Sequence, residues 1–462
     1  MFKPTRLALA VAALAAAPAF AATNFDSFVP VSPTASPVDV SAEMTTPFLL
    51  PSNFTQTVIA NRANQLALGQ SNSGNWDMIT ANETGPDAGR YLFSPFETGS
   101  GGVQRTDLWD SNYNTRTVTI VTSGTASAVS LDASYWTPWG TYITAEESWG
   151  NGSSRGRLFE VTNPTTAGEG GGTFVQRNVI PRTSHEGIAF DNQNSMYFID
   201  ELNGGSIYKY QSANPQATNG DDYFGAGQTF VLRTGDGNTD NAVGSFSWIA
   251  ITDAAGNGLP GFVEATGAGN PAGTVDARAT TNLADFKGTN YQRPEDLQVK
   301  TLDNGDQFLF FAATTTDNVY TIDLANMEIK EFANRDTIDA ATGLAVGSVF
   351  NNADNLAIDD EGNLYVIEDD GAGRANIWMA KDADNDGVAE SVATWATLLV
   401  NGAEPTGLYF DKFNPNVAYV NVQHPGSGND MLVQISAVPE PETYAMLLAG
   451  LGLVGAVARR RK

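Results

Sequence analysis

Short apolar stretches separated by turn-forming residues dominate the hydrophobic pattern of this chain. Runs rich in Val, Ile, Phe, Tyr and Thr recur between clusters of Gly, Asn and Asp, while apolar residues at helical spacing are scarce. Such spacing is typical of an all-β sandwich, barrel or propeller.

An internal repeat narrows this choice. Residues 186–201 (EGIAFDNQNSMYFIDE) align without a gap on residues 354–369 (DNLAIDDEGNLYVIED), and both contain an acidic residue, a strand, an Asp turn, a second strand and an acidic pair. Looser copies cover residues 129–146, 295–312 and 406–422. Irregularly spaced hairpins of one plan predict an irregular, six-bladed β-propeller with long loop insertions, and a β-sandwich is the alternative. We expect residues 22–51 to form an N-terminal arm and residues 212–291 an extended loop.

The repeat also predicts where its acidic residues meet. In a hairpin, the residue before the first strand and the residue after the second lie at the same open end. Propeller blades can bring these ends together around the central channel, where clustered carboxylates repel one another unless cations neutralise them. Oxygen ligands suit calcium, or iron and manganese, better than zinc. The predicted metal ligands are Glu146, Glu147, Glu186, Asp200, Glu201, Glu295, Asp354, Glu368 and Asp369. The alternative is that these acids are solvated hairpin ends.

Other residues add candidate chemistry. Arg293 lies beside Pro294 and Glu295, where its planar fork could bind a phosphate oxyanion while Glu295 ligates metal, or form an internal ion pair. His185, Asn355 and His424 are candidates for residues that hydrogen-bond to the metal ligands and orient them. For the two histidines, a purely structural role is the alternative.

A separate calcium loop is predicted at residues 382–390. Asp382, Asp384 and Asp386 reproduce the D-x-D-x-D-G head of such loops, but Ala393 stands where the bidentate acid belongs, so an acidic turn is equally consistent with the sequence.

Composition excludes several functions. The formal net charge of −27 argues against nucleic acid and anionic membranes as partners and favours divalent cations. The absence of cysteine excludes disulfides and thiolate ligands. No H-E-x-x-H or phosphate-binding P-loop motif is present, which argues against zincin and nucleotide-driven chemistry.

Both ends of the chain resemble targeting signals. Residues 1–21 have the charged start, apolar run and small-residue cleavage site of a secretory signal peptide, so the body is expected to span residues 22–437. Residues 438–462 combine Pro-Glu-Pro, a short apolar run and an Arg-rich end, and closely resemble a PEP-CTERM sorting tail. That resemblance implies a transient transmembrane anchor as the only membrane contact, exosortase as a partner, and delivery to the cell surface or outside.

The body resembles the PhoX-type alkaline phosphatases over nearly its whole length. The resemblance is carried by residues 89–93, 140–147, 185–186, 293–295, 354–356 and 420–426. It implies an exported phosphoester hydrolase on a six-bladed propeller that uses calcium and an iron pair and acts on a phosphorylated small molecule. It also implies that Glu146, Glu147, Glu186, Glu295, Asp354 and Glu368 are metal ligands, and that Arg293 contacts phosphate.

One departure from the family alters the expected activity. Its strand ends Thr-Cys-Glu-Glu, with the cysteine as an iron ligand, whereas this chain has Ala145 at that position. Alanine has no donor atom, which argues against the iron pair but leaves a calcium site on oxygen ligands possible. The expected function is therefore a calcium-dependent phosphoester hydrolase with Arg293 and Glu295 in catalysis. The alternatives are a non-catalytic calcium-binding propeller of the cell surface or biofilm matrix, and a lactonase- or phytase-like hydrolase.

Overall fold

The computed structural model describes residues 25, 27–150, 152–262, 264–265, 270–369 and 374–438. The predicted signal peptide and all of the predicted sorting tail beyond Val438 lie outside these residues. Within the described part of the chain, no helix is long and apolar enough to cross a membrane.

The regular secondary structure of the described residues is almost entirely β. The strands are β1 (Phe48–Leu49), β2 (Phe54–Asn61), β3 (Thr80–Ala81), β4 (Tyr91–Pro95), β5 (Val103–Asp107), β6 (Thr117–Val121), β7 (Tyr135–Trp136), β8 (Tyr142–Ala145), β9 (Leu158–Val161), β10 (Phe174–Gln176), β11 (Ile188–Phe190), β12 (Met196–Ile199), β13 (Ile207–Ser212), β14 (Gly227–Thr234), β15 (Gly244–Ala250), β16 (Pro294–Thr301), β17 (Gln307–Ala313), β18 (Asn318–Asp323), β19 (Glu328–Ala333), β20 (Ile338–Asp339), β21 (Ala353–Ile358), β22 (Leu364–Glu368), β23 (Asn376–Lys381), β24 (Ser391–Leu398), β25 (Glu404–Phe410), β26 (Val417–Gln423) and β27 (Met431–Ala437). The helices are α1 (Arg62–Ala67) and α2 (Gly220–Tyr223), with short 3₁₀ turns at Val40–Ala42, Thr125–Ser127, Thr280–Asn282, Thr314–Thr316 and Gly347–Val349.

The sheets have a propeller-like arrangement, which confirms the predicted all-β propeller. Three sheets have four strands each, in the orders β3-β4-β5-β6, β10-β9-β8-β7 and β2-β27-β26-β25. A fourth contains β21 to β24 with β1 and β20 at its outer side. Instead of two further separate sheets, the antiparallel sets β11–β14 and β16–β19 are joined into one nine-stranded sheet, because β15 pairs with both β14 and β19.

The innermost strands pack closely against one another. The first strand of each antiparallel set contacts its neighbours in the pairs β3–β7, β11–β16, β16–β21, β21–β25 and β25–β3. Two glycines allow this approach: a Cβ on Gly187 would collide with the backbone of Leu297, and one on Gly407 with the backbone of Ile79. The short separation between these strands brings their first residues together.

The segment 212–291 differs from its prediction. It is expected to be extended loop, but it contains β14, which mixes buried and partly exposed residues, and β15, in which only Phe246 is buried. These strands lie in the outer part of their sheet, where one side contacts solvent, so they do not need the long apolar runs by which a strand is recognised.

The six inner strands share one direction, which defines two faces. We call the face at which they begin the mouth face. The hairpin turns that follow them lie on the opposite face, which we call the turn face; these turns are residues 82–90, 137–141, 191–195, 302–306, 359–363 and 411–416. In each hairpin the second strand runs back, so its last residue returns to the mouth face.

Candidate metal centre

Acidic residues cluster where the inner hairpins open onto the mouth face. One carboxylate stands at or shortly before the start of each inner strand, and another follows several of the second strands. We call this set the carboxylate ring: Asp77, Asp132, Glu186, Glu295, Asp354 and Glu404 at the inner strands, and Glu97, Glu147, Glu201 and Asp369 after the second strands.

The centre of the ring has the geometry of a cation site. Glu186, Glu295 and Asp354 each place a carboxylate oxygen within 4.8 Å of the other two. Glu295 Oε1 accepts a hydrogen bond from the Thr314 hydroxyl, while Glu295 Oε2 is buried without a partner. Asn355 stands behind the group and donates from Nδ2 to Glu186 Oε1 at 3.3 Å. Two fully buried carboxylates and a third beside them are the donor set that a hard divalent cation prefers.

Arg293 is the cation built into this centre. Its Nη2 lies 2.9 Å from Glu201 Oε1, its Nε lies 3.1 Å from Glu295 Oε1, and its Nη1 lies 3.9 Å from Asp369 Oδ2. Arg293 itself adopts a positive φ of 70°, and its carbonyl accepts the Thr314 N–H at 3.1 Å. Its side chain remains 29 % exposed. The guanidinium is therefore held among the candidate ligands and is still reachable from the mouth.

Trp149 completes this side of the mouth and was not predicted. Its indole N–H is shared between Glu147 Oε1, at 2.6 Å, and Glu201 Oε2, at 3.0 Å. The Arg293 guanidinium lies 5.6 Å from the centre of the indole ring. Arg278 holds the loop that carries Trp149 by donating to the Ser148 carbonyl at 3.2 Å and to Ser153 Oγ at 2.9 Å.

The opposite side of the ring contains a histidine–carboxylate pair. His424 Nε2 lies 2.9 Å from Glu404 Oε1, and this hydrogen bond raises the pKa of His424 to about 9. Burial acts to raise the pKa of Glu404, but hydrogen bonds from His424 and Asp369 lower it to about 2. His424 is therefore a cation at neutral pH and offsets part of the negative charge of the ring.

Seven other acids of the ring resist ionisation. Burial, followed by repulsion from Asp77, raises the pKa of Glu97 to about 10. Burial, followed by its hydrogen bond to Glu404 and repulsion from the same group, raises the pKa of Asp369 to about 8. Burial, followed by repulsion from neighbouring carboxylates, raises the pKa well above its usual range at Asp77, Asp132, Glu186, Glu201 and Asp354. At neutral pH the ring must hold protons or cations. The unpartnered oxygens Glu295 Oε2 and Asp132 Oδ1 fit bound cations.

Adjacent acids point in opposite directions, so each predicted acidic pair is divided. Glu147, Glu201 and Asp369 belong to the ring. Glu146 is instead buried against Arg157, whose Nη2 lies 2.6 Å from Glu146 Oε1, and it also accepts the Val129 N–H at 3.1 Å. Successive side chains in an extended chain alternate between its two sides, which explains the division.

Asp200 and Glu368 follow the same rule. Asp200 accepts backbone N–H groups from Ser184 and Ala279, each at 3.1 Å. Glu368 accepts hydrogen bonds from Asn351, Asn376 and Trp378. Burial raises the pKa of Asp200 to about 7 and that of Glu368 to about 8, although these hydrogen bonds oppose the shift. Ligand roles for Glu146, Asp200 and Glu368 remain predictions, and each would require these contacts to be released.

Replacing Glu146 by Gln tests which role is correct. We expect the variant to lose roughly 3 kcal/mol of unfolding free energy, because Arg157 would be left without its buried partner. Calcium stoichiometry should be unchanged if Glu146 is structural. Denaturant unfolding and calcium titration of the same sample measure both quantities. Loss of one bound calcium with little change in stability would instead support the ligand role.

The His185 side chain takes no part in the hydrogen bonds of the ring. Its ring is fully buried at 5.3 Å from the Phe198 ring, and neither ring nitrogen has a hydrogen-bond partner. Burial, followed by repulsion from Arg182, lowers its pKa to about 3. His185 is therefore neutral at physiological pH, and its role behind the ligands stays a prediction.

The predicted calcium loop contains a different third acid. Asp382, Asp384 and Glu390 each place one oxygen within 4.8 Å of the others, whereas Asp386 was the third residue predicted. The backbone carbonyl of Asp386 accepts a hydrogen bond from Lys330 Nζ at 2.7 Å. The loop connects β23 to β24 on the turn face, away from the carboxylate ring.

Four ring members were missed in the sequence: Asp77, Glu97, Asp132 and Glu404. Each stands where the repeat places an acid, at the start of an inner strand or after a second strand. The signal was present at Asp132, which lies inside the looser copy at residues 129–146, and at Glu404, which lies just before the copy at residues 406–422. At Asp77 and Glu97 the inner strand β3 has only two residues, too few to be recognised as a repeat.

Comparison with known proteins identifies the family. The model of the alkaline phosphatase PhoX family matches residues 133–426, and the model of the PEP-CTERM protein-sorting motif matches residues 437–462. No curated protein sequence matches the chain.

Several solved structures are similar to this chain at low sequence identity and with TM-scores below 0.5. A putative phosphatase from Bacteroides thetaiotaomicron has a TM-score of 0.44 and 10 % identity, over 79 % of this chain and 71 % of that one. A protein of unknown function from the same organism has a TM-score of 0.43 and 10 % identity, over 83 % and 76 % of the two chains. A luciferin-regenerating enzyme has a TM-score of 0.40 and 8 % identity, over 80 % and 94 %. The assignment rests on the sequence match over well over half of the chain, by which this protein belongs to the alkaline phosphatase PhoX family and ends in a PEP-CTERM sorting motif.

Proposed function

We propose that the protein is an exported, calcium-dependent phosphoester hydrolase whose site is the carboxylate ring. Membership of the PhoX family supports a phosphatase-type function and metal use. The observation that carries the proposal is the group Glu186, Glu295 and Asp354, whose oxygens lie within 4.8 Å of one another beside Arg293.

The acidic ring by itself repels a phosphoester, so substrate binding must follow cation binding. Divalent cations held in the ring would supply positive charge for phosphate binding and would favour the ionised form of an attacking oxygen. Glu186, Glu295 and Asp354 would hold these cations. Asn355 orients Glu186, and Thr314 orients Glu295.

Arg293 would bind a non-bridging phosphate oxygen through the side of its guanidinium group that is exposed at the mouth. Burial alone would lower its pKa, but Glu295 and Glu201 raise it, so the guanidinium stays charged. Its ion pairs fix its position before substrate arrives, which favours stabilisation of charge that develops on phosphate in the transition state.

The residue at position 145 supports calcium rather than the iron pair. Ala145 is fully buried in an apolar cluster with Leu158 and Ile188, and its methyl group offers no donor atom. Oxygen ligands alone suffice for calcium. We therefore propose that the mature body binds calcium and lacks stoichiometric iron.

The same alanine favours one alternative, a calcium-binding propeller without catalysis that serves at the cell surface or in a biofilm matrix. In that case the ring would keep its cations as structural elements, and Arg293 would act only as an internal ion-pair partner.

Metal analysis followed by an activity assay separates the two functions. The body, residues 22–437, would be loaded with calcium, washed, and assayed with a soluble aryl phosphomonoester and the matching diester. We expect bound calcium, no iron, and hydrolysis that stops with a chelator and returns with calcium. Bound calcium without turnover, also after iron is added, would reject the hydrolase and support the surface protein.

The sorting motif supports export and processing by exosortase. We propose that the apolar run at residues 444–458 anchors the chain transiently in the inner membrane before its delivery to the cell surface. The body itself, with its strongly acidic surface, is not expected to bind membranes or nucleic acid.

A further inference from the structure

The last described strand ends on the turn face. At the mouth end, Asp430 accepts the His424 N–H at 2.7 Å just before β27 begins. From there β27 runs antiparallel to β26, with Met431 opposite Val422 and Ser436 opposite Val417. The chain therefore crosses the whole height of the sheet, away from the mouth, before the sorting motif begins.

Two hydrogen bonds hold this exit point. The Ala437 N–H donates to the Asn416 carbonyl at 2.9 Å, in the turn between β25 and β26. The Val438 N–H donates to the Asn53 carbonyl at 2.8 Å, just before β2. Because β2 and β27 pair along their full lengths, the exit point cannot shift toward the mouth without opening this sheet.

We propose that the sorting tail holds the propeller with its turn face toward the anchoring membrane and its mouth face away from it. Only six residue steps separate Val438 from Tyr444, where the apolar run begins, and they reach at most about 20 Å. β26 has seven residues and spans about 20 Å between the faces. To turn the mouth to the membrane, the connecting residues would have to run back along the whole sheet, which uses their entire reach.

The negative charge of the turn face indicates that the short link to the sorting tail sets this orientation, and that attraction of this face to the lipid surface does not. Its exposed side chains include Asp303, Asp306, Asp360 and Glu361. The lysine of its last turn, Lys412, is paired with Glu83. Such a face is repelled by an anionic lipid surface, so the orientation should persist at high salt.

This orientation has a consequence for the ligand, which rests on the proposed function. A ring that faces away from the anchoring membrane receives phosphoesters from the surrounding solution or from outer structures. The lipid headgroups of that membrane lie beyond the opposite face.

Distance measurements on the anchored, full-length chain test the orientation without any activity assay. The protein has no cysteine, so a single introduced cysteine is the only labelling site. Gln193→Cys places a donor fluorophore on the turn face, and Ser427→Cys places it on the mouth face; both side chains are exposed. The full chain would be reconstituted into liposomes with an acceptor on the lipid headgroups. We expect energy transfer about twofold higher from position 193, because about 20 Å of strand separates the faces.

Each control has a defined outcome. The same labelled variants ending at Val438 should show no transfer from either position, since they lack the tail. Raising the salt concentration should leave the ranking unchanged. Equal transfer from both positions, higher transfer from 427, or a ranking that disappears in salt would overturn the proposal. Because hydrolysis is not measured, failure of the proposed function would leave this result intact.

Discussion

Replacing Glu295 by Gln is expected to abolish calcium-dependent phosphoester hydrolysis, with a loss of at least about 100-fold. Glu295 shares the centre of the ring with Glu186 and Asp354, and its Oε2 has no protein partner. The amide keeps the size of the side chain but removes the charge that holds a cation. Glu186→Gln should have a similar effect, and a chelator should reproduce both in the unmodified protein. Activity and bound calcium would be measured on the same samples.

A matched control comes from the loop on the turn face. Asp384→Asn removes an acid from the other candidate calcium group, so it should lower calcium stoichiometry without reducing hydrolysis. If Glu295→Gln retains full activity, or if chelation leaves hydrolysis untouched, the ring is not the catalytic centre. Equal losses from Glu295→Gln and Asp384→Asn would point to a general structural effect of calcium.

The metal-free protein is expected to become less stable as the pH rises from about 5 to 9. Carboxyl groups in the unfolded chain have pKa values near 4, whereas burial raises that of Asp369 to about 8 and that of Glu97 to about 10 in the fold. Between these values the folded chain binds more protons than the unfolded chain, so the free energy of unfolding falls with increasing pH. The stabilising protonated state is lost as pH passes the folded pKa.

Calcium should remove much of this pH dependence, because cations replace protons as the neutralising charge. Some slope should remain, since burial also raises the pKa of Asp200 and Glu368, which lie outside the ring. Denaturant unfolding at pH 5, 7 and 9, with and without calcium, measures both effects. In the metal-free protein, Glu97→Gln should reduce the slope of unfolding free energy against pH by the equivalent of up to one proton. Stability that is flat or rises with pH in the metal-free protein would contradict the proposed crowding of carboxylates.

The repeat was sufficient to predict that acids meet at one end of the hairpins. The prediction follows from local geometry, because an antiparallel hairpin places its two ends together whatever its surroundings. The direction of the hairpins also follows from the sequence, and with it the separation of the mouth face from the turn face. The match to the PhoX family and the absence of a donor atom at Ala145 were readable in the same way.

Contacts between distant segments could not be read in this way. Trp149 contacts Glu147 and Glu201 from a loop that Arg278, over a hundred residues away, helps to hold. Glu390 stands with Asp382 and Asp384 in the turn-face loop, whereas the Asp386 carboxylate accepts the Val388 N–H at 2.8 Å. Such positions depend on chain segments that no local pattern connects.

By itself, the sequence determined the all-β class, the shared hairpin plan, the accumulation of carboxylates and the missing thiolate, because each is a property of residue identity and local spacing. Only the tertiary structure decided which acid of each pair faces the mouth. Glu147, Glu201 and Asp369 face the mouth. Glu146 instead forms an ion pair with Arg157, and Glu368 accepts a hydrogen bond from Trp378. The physical reason is that adjacent side chains leave a strand on opposite sides. Packing between neighbouring sheets then determines which side meets a buried partner and which meets the open channel.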